Sequence, residues 1–443
     1  MSDSERLKII IIGAGIAGLA AATALRAEHQ VLVLESSRLK QEVGAAIHLG
    51  PNASKIAIER WGMDLTRLNS PEVAWYTEYT QQGEPQIKAQ IDTRRDFGAP
   101  WLLNHRVDLH QELRRLATDA EGPGAPATVR TGARVLSVDG DEGTVTLGDG
   151  EILKADVLVG ADGIHSIART AVLGYDLVAK RSGHSAYRML IPREKVIEDP
   201  ELSFLVDGTS LGITTFVSHD RRVVAYPCRG STRPELLNIV AIVPDRALEA
   251  GSTESWSAEG SVAELVASFS SFAPKLRPSC GLWQLRDQDP LHSWTRGRLI
   301  IIGDASHAML PHQGQGGGQS VEDAEALGAL LSGLTRAQSS RIPQRLQLVE
   351  SVRIERASKI QGYSREKALG AKDGNTFTLN AGEFSAYNYS YFGALDWARK
   401  LGIEVDGLEG GGKEQVAGRD GDEKEPSEAP VRQALASLVA ASG

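Results

Sequence analysis

The chain has 443 residues, 41% of them hydrophobic and 24% charged, and a net charge of −9. That length exceeds one ordinary domain and provides a core of enzyme size, while the composition excludes a chain disordered throughout and a collagen-like fibre. The acidic balance, with a pI near 5.7, argues against nucleic acid as the main partner, because phosphate backbones need a basic surface.

Two cysteines, Cys228 and Cys280, are too few for a disulfide framework and lack zinc-site spacing, so a reducing, intracellular setting is expected. The polar start Met1–Lys8 meets an apolar run cut at once by glycine, and no stretch reaches the roughly 18 apolar residues of a spanning helix. A soluble protein without signal peptide or membrane span is expected.

Leu7–Ile12 is short, apolar and β-branched and ends at Gly13, which predicts a strand buried on both faces. Ile16–Ala27 predicts a helix and Val31–Glu35 a second buried strand, completing a β-α-β unit. Val73–Ile91 reads as strands leaving this unit. Arg106–Ala120 returns to helix, with Val107, Leu109, Leu113 and Leu116 near one face. Thr128–Leu153 is hairpin-like around Gly148-Asp149-Gly150, and Ala155–Gly160 is another buried strand.

Between Gly183 and Pro244, strand-length segments separated by turns predict a mostly antiparallel sheet, with Ser261–Phe272 as its helix. Buried strand reappears at Arg298–Ile302, followed by helices at Gln319–Leu334 and Pro343–Leu369. The first domain is therefore discontinuous (1–72, 98–176 and 279–403), with 73–97 and 177–278 as a second domain. Residues 404–443 hold nine acids and four bases and read as a disordered acidic tail.

Three motifs carry chemistry. In the first, Gly13, Gly15 and Gly18 form GxGxxG between strand and helix, with Glu35 ending the next strand. Gly13 permits the turn, Gly15 lets the backbone approach a pyrophosphate, Gly18 lets helix pack on strand, and Glu35 accepts ribose hydroxyls. The second is Gly160-Ala161-Asp162-Gly163. The third is Gly303-Asp304-Ala305-Ser306-His307, leading through Gly314–Gly318 into a helix. Each of these last two ends a buried strand with a small residue and a carboxylate, suited to sugar or ribityl hydroxyls.

In this order and at these separations the motifs resemble those of the single-component FAD-dependent aromatic hydroxylases, the family of para-hydroxybenzoate hydroxylase and salicylate hydroxylase. The resemblance spans about residues 7–395. Gly44–Asn52 (GAAIHLGPN) and ASHAMLPHQGQGGGQSVEDAEAL make the chain most similar to salicylate-hydroxylase-like monooxygenases, including fungal ones of secondary metabolism. The resemblance implies an α/β fold: a Rossmann-like, glutathione-reductase-type FAD domain with an inserted, mostly antiparallel substrate domain. It implies FAD as cofactor, NADH or NADPH as transient co-substrate, and dioxygen passed through a flavin hydroperoxide to an aromatic or polycyclic small molecule, by hydroxylation or epoxidation.

Carried over by position, Gly13, Gly15, Gly18 and Glu35 match ADP-binding residues, and Arg106 matches an FAD-contacting arginine. Asp304 matches the ribityl carboxylate, Gly317 a backbone contact at the flavin, and Asp162 a motif shared by FAD and the nicotinamide cofactor. Ala46, in a segment that departs from the family's G-A-G-I, is a further flavin contact. His48, in the loop after it, is either a base for a phenol or an ordinary hydrogen-bonding residue. Arg188 and Tyr226, on the sheet forming the pocket floor, either hold the ring's oxygen substituents or serve as a rim ion pair and a core aromatic.

No metal is expected at His307 and His312, which lack a ligand set. A halogenase would carry W-x-W-x-I-P, which is absent. An FAD oxidase or dehydrogenase without external reductant, and a non-catalytic flavin-binding partner, remain as alternatives.

Overall fold

The computed structural model describes residues 2, 4–39, 46–200, 202–206, 211–230, 233–245, 258–260, 268–269, 280–369 and 381–405. All but two residues of the expected helix at Ser261–Phe272, nearly all of the acidic tail, and Gly44 and Ala45 of the GAAI segment lie outside the described residues.

Ile9–Ile12, apolar throughout and almost fully buried, make the centre of a six-stranded sheet. Its order is Thr295–Arg296, Leu299–Ile301, Val157–Gly160, Lys8–Ile12, Gln30–Glu35, Thr128–Thr131. All its pairings are parallel except that between Thr295–Arg296 and Leu299–Ile301. Burial on both faces is what a parallel sheet demands, and it explains why Ile9–Ile12, Val157–Gly160 and Leu299–Ile301 carry no polar alternation. Thr128–Thr131 pairs here with Gln30–Glu35, so it does not open the hairpin that the sequence suggested. The separate three-stranded antiparallel sheet is Val135–Asp139, Thr144–Leu147 and Ile152–Lys154, with Gly148-Asp149-Gly150 in its second turn.

Ile16–Leu25 packs on the sheet with nearly every residue buried, which its alanines and leucines allow. Gly18 is required for this approach, because a Cβ there would lie 1.9 Å from the Gly13 carbonyl oxygen. Helix Gly316–Leu331 crosses beside it, and the long helix Ile342–Leu369 covers that.

Eight strands form the second sheet, in the order Ala258–Gly260, Cys280–Asp287, Lys180–Pro192, Leu236–Pro244, Arg222–Arg229, Gly212–Val217, Trp75–Thr80, Pro85–Gln90. It is antiparallel apart from one parallel pairing, Gly212–Val217 with Trp75–Thr80. Helix Arg106–Thr118 ties the two sheets together, but through a position the sequence reading passed over. Val107 is only half-buried, while Asp108 is buried and pairs at 2.8 Å with Arg229, at the end of a strand of the second sheet, and at 2.6 Å with Arg233, just beyond that strand. Burial pushes the Asp108 carboxyl up, but His105 and Arg229 outweigh it and hold the group below its usual range.

A two-stranded ribbon, Ala46–Leu49 against Leu102–His105, lies between the sheets and places His48 opposite Leu103. Among the described residues no helix is long and apolar enough to cross a membrane.

Candidate active site

Three motifs far apart in sequence meet because their strands are neighbours. The carboxyl ends of Leu299–Ile301, Val157–Gly160, Lys8–Ile12 and Gln30–Glu35 lie side by side, offering Asp304, Asp162, Gly13–Gly15 and Glu35 along one edge. In parallel sheets that edge is where nucleotides bind.

The first turn is tightly built. Gly13 has φ +101°, and a Cβ on it would lie 2.4 Å from the Ala161 oxygen, so the first and second motifs touch there. The Ala14 amide donates to Glu35 Oε2 at 2.9 Å, and the Ala14 carbonyl meets His110 Nε2 at 2.7 Å. A Cβ on Gly15 would meet nothing within 4 Å, so at this one position of the turn the backbone faces open space. Half-burial raises the Glu35 carboxyl, but hydrogen bonds from the Ser37 and Ala14 amides outweigh it and keep the group ionised.

Asp162 plays a part the sequence did not foresee. One of its oxygens accepts from the Ser166 hydroxyl at 2.6 Å, and the other from the amides of Ile167 and Ala168 at 2.8 and 3.1 Å. The carboxylate is spent on capping helix Ile167–Leu173, and burial pushes its pKa up. Arg169 of that helix donates to the carbonyls of Ile164, Leu177 and Ala305, joining the second motif to the third.

Asp304 remains open to water although protein crowds it on all sides. That crowding raises its carboxyl, against the pull of His307, Arg106 and Arg169. Its loop is held from beneath: Asp323 Oδ2 accepts from the Gly303 amide at 3.0 Å and meets His307 Nε2 at 2.7 Å, while Asp323 Oδ1 takes Arg353 Nε at 2.9 Å. Burial opposes ionisation of Asp323, but His307 and Arg353 prevail and lower it to about 2. Glu322 joins Arg353 and Arg356 in the same buried network. Helix Gly316–Leu331 begins with no side-chain cap, and Gly317 in its first turn packs on Ile47, whose Cδ1 would be 2.7 Å from a Cβ there.

The third group faces the second sheet. Arg188 and Leu190 share a face of their strand; Leu190 pairs with Asn238, and Asn238 with Tyr226, so Tyr226 stands on the same face as Arg188, two strands away. The two sense each other electrostatically: burial lowers Arg188 to about 10 and raises Tyr226, each moderated by the other, and Arg106 further lowers Arg188. Across from this face, the His48 ring meets Tyr226 edge-on at 6.2 Å between centroids. His48 Nδ1 receives the Trp101 indole N–H at 3.0 Å. Ala46 begins the same ribbon and is half-buried beside Tyr226 and Trp101 in one apolar cluster. Arg106 lies near enough to act electrostatically on both Asp304 and Arg188.

The FAD binding domain family matches residues 6–360 of the chain. The chain belongs to this family. It is 37% identical over 375 residues to the FAD-dependent monooxygenase cfoG of Aspergillus candidus, spanning 82% of this chain and 85% of that one. Over 385 residues it is 35% identical to hispidin-3-hydroxylase of Neonothopanus nambi, covering 83% and 89%. A solved salicylate hydroxylase substrate complex matches with a TM-score of 0.70 at 28% identity, over 90% of this chain and 98% of that one.

The protein is thus an FAD-dependent monooxygenase, a flavoprotein of the salicylate-hydroxylase-like kind, and its FAD domain is the α/β fold expected. The oxidase and non-catalytic alternatives are not favoured. Its residues fit FAD on structural grounds: Gly15 opens onto free space at a helix start, Glu35 is fixed as an ionised acceptor, and Asp304 is open to solvent at the same edge.

Sequence reasoning missed Trp101, Gly314 and Asp323. Nothing local marks them, because each acts on a partner distant in the chain: Trp101 on His48, Gly314 on the same ring, Asp323 on Gly303 and His307. A cavity of about 380 Å³ elsewhere, lined by Thr23, Arg60, Trp61 and Arg115 among others, has no part in this site.

Proposed function

We propose that this monooxygenase uses NADH or NADPH and dioxygen to hydroxylate an electron-rich aromatic ring carrying an acidic hydroxyl or a carboxylate. The observation that supports it is the convergence of Arg188, Tyr226 and His48 beside the Arg106–Asp304 edge. The relatives' names, hispidin-3-hydroxylase and salicylate hydroxylase, point to oxygenated rings of that kind.

FAD, held by Gly13, Gly15, Gly18, Glu35, Arg106, Asp304 and the Gly317 turn, supplies the redox and oxygen-activating chemistry when bound. The chain's own work is positioning. Arg188 remains a cation even at its lowered pKa and balances a negative oxygen substituent on the ring. Tyr226 stays a neutral phenol across the working range and donates to the ring's oxygen. The apolar cluster of Leu103, Ile213, Trp101 and Leu190 keeps water from the reacting carbon. Asp162, through its cap, holds the second motif in place for FAD and the nicotinamide cofactor. An intracellular setting accords with the buried free thiol of Cys228.

The test is the visible spectrum of the purified protein, then NADH and NADPH oxidation in air with a panel of phenols, salicylates and indoles. Faster nicotinamide oxidation with an oxygenated product for one ring class supports the reading. A yellow protein that no ring stimulates would refute it.

A further inference from the structure

We infer that Trp101 fixes the tautomer of His48, so that His48 meets the substrate as a neutral Nε2–H donor and not as the base that removes its proton. The inference rests on the proposal that this pocket receives the ring.

An indole N–H can only donate. At 3.0 Å from Trp101 Nε1, His48 Nδ1 must therefore present its lone pair, and the neutral imidazole carries its proton on Nε2. A second proton would sit on Nδ1 and face the indole N–H head-on. Nothing nearby compensates for that: among the described residues the ring's neighbours are Trp101, Tyr226 and Gly314, with Tyr389 behind Trp101, and none is charged. Burial alone lowers His48 to about 4. Nε2 makes no hydrogen bond among the described residues, so its N–H is available to a ligand. The ring cannot swing away either, because Gly314 is packed so closely that a Cβ on it would fall 1.7 Å from Nε2.

The pocket then offers the His48 Nε2–H, the Arg188 guanidinium and the Tyr226 hydroxyl as three donors around one site. Such a site selects a ring oxygen that is already an anion. The proton leaves to bulk water before binding and does not pass to His48. The favoured substrates are rings whose hydroxyl is acidified by a conjugated carbonyl or a neighbouring carboxylate.

The experiment has two arms. FAD-loaded protein labelled with ¹⁵N-histidine is read by two-bond ¹H–¹⁵N correlation, with His48→Gln identifying the His48 signals. The expected pattern is the Nε2–H tautomer, unchanged between about pH 8 and pH 5, and shifted toward a mixed, titrating ring in Trp101→Phe. An Nδ1–H pattern, or titration near the ordinary histidine value in the wild type, overturns the inference, and the wild-type spectrum alone decides this if Trp101→Phe does not fold.

In the second arm kcat/KM is measured with salicylate. His48→Gln keeps an N–H donor and lowers it by no more than about tenfold, while His48→Ala, which keeps none, lowers it roughly 10–150-fold. Equal losses in both, in the range of about 10²–10⁴ expected for a missing base, also overturn it. If salicylate is not turned over, the choice of ring is wrong, while the tautomer is still decided by the first arm.

Discussion

Gly314→Ala separates backbone strain from site geometry. Gly314 has φ +60°, and a left-handed conformation costs a side-chain-bearing residue roughly 1–2 kcal/mol. The larger effect is contact: the new methyl would lie 1.7 Å from His48 Nε2 and 1.9 Å from Cε1. To regain ordinary carbon contact of about 3.5 Å the ring must retreat by more than about 1 Å. That breaks the 3.0 Å bond from Trp101, worth about 1 kcal/mol, and adds off-rotamer strain of about 1 kcal/mol.

The sum is a destabilisation of about 3–4 kcal/mol, with kcat/KM lowered about 100-fold, as a misplacement of about 1 Å in an active site entails. Gly150→Ala is the control, since Gly150 has φ +88° and nothing within 4 Å of a Cβ, so it should lose only the strain. Urea unfolding and steady-state kinetics of both variants, with FAD affinity by fluorescence titration to show the cradle intact, make the comparison. If Gly314→Ala unfolds like Gly150→Ala and keeps its kcat/KM, the packing of Gly314 on His48 does not control the site.

Glu35→Ala should weaken FAD binding roughly 10–150-fold through loss of a charged acceptor, read by titrating apoprotein with FAD; unchanged affinity would remove Glu35 from the cofactor site. Asp323→Ala leaves His307 without its carboxylate and Arg353 with Glu322 alone in a dry interior and should cost about 3–5 kcal/mol in urea unfolding. Because the folded chain lowers Asp323 from 3.8 to about 2, the stability it contributes is present above the unfolded value and is lost as pH falls from 3.8 through 2; an acid titration in which wild type and variant converge below that window tests the sign. His48 behaves in a related way: its pKa is lowered from 6.5 to about 4, so the unfolded chain takes the proton first and stability falls as pH drops through that interval. Thermal melts of His48→Gln should be flatter than wild type between about pH 7 and pH 5, and parallel profiles would show that His48 is not buried as a neutral ring.

The cofactor half of the site was legible in the sequence because its signals are local. A β-branched run, a glycine turn and a helix announce themselves within twenty residues, and Glu35 follows at the end of the next strand. Gly13 and Gly18 of the first motif do what the spacing predicts, since Gly13 touches Ala161 and Gly18 touches Gly13 through distances no Cβ permits. Asp162 was legible as a residue but not as a role: whether a carboxylate at a strand end faces a ligand or caps the next helix depends on hydrogen bonds to Ser166, Ile167 and Ala168 that only the folded loop defines.

The ring pocket was legible only as a set of candidates. His48, Arg188 and Tyr226 lie on three strands, and their nearness follows from register: one residue of slip in Lys180–Pro192 or Arg222–Arg229 would turn Arg188 or Tyr226 to the opposite face. The sequence alone determined the strand–turn–helix units, the order of the motifs and hence an FAD-binding α/β chain, because those features rest on backbone requirements written in neighbouring residues. The tertiary structure decided that Asp108 and Asp323 hold the site together and that Trp101 and Gly314 govern His48. Those choices depend on which buried polar atoms meet across 50 residues or more of chain in several of these pairs, and burial makes each unpaired partner too costly to leave to chance.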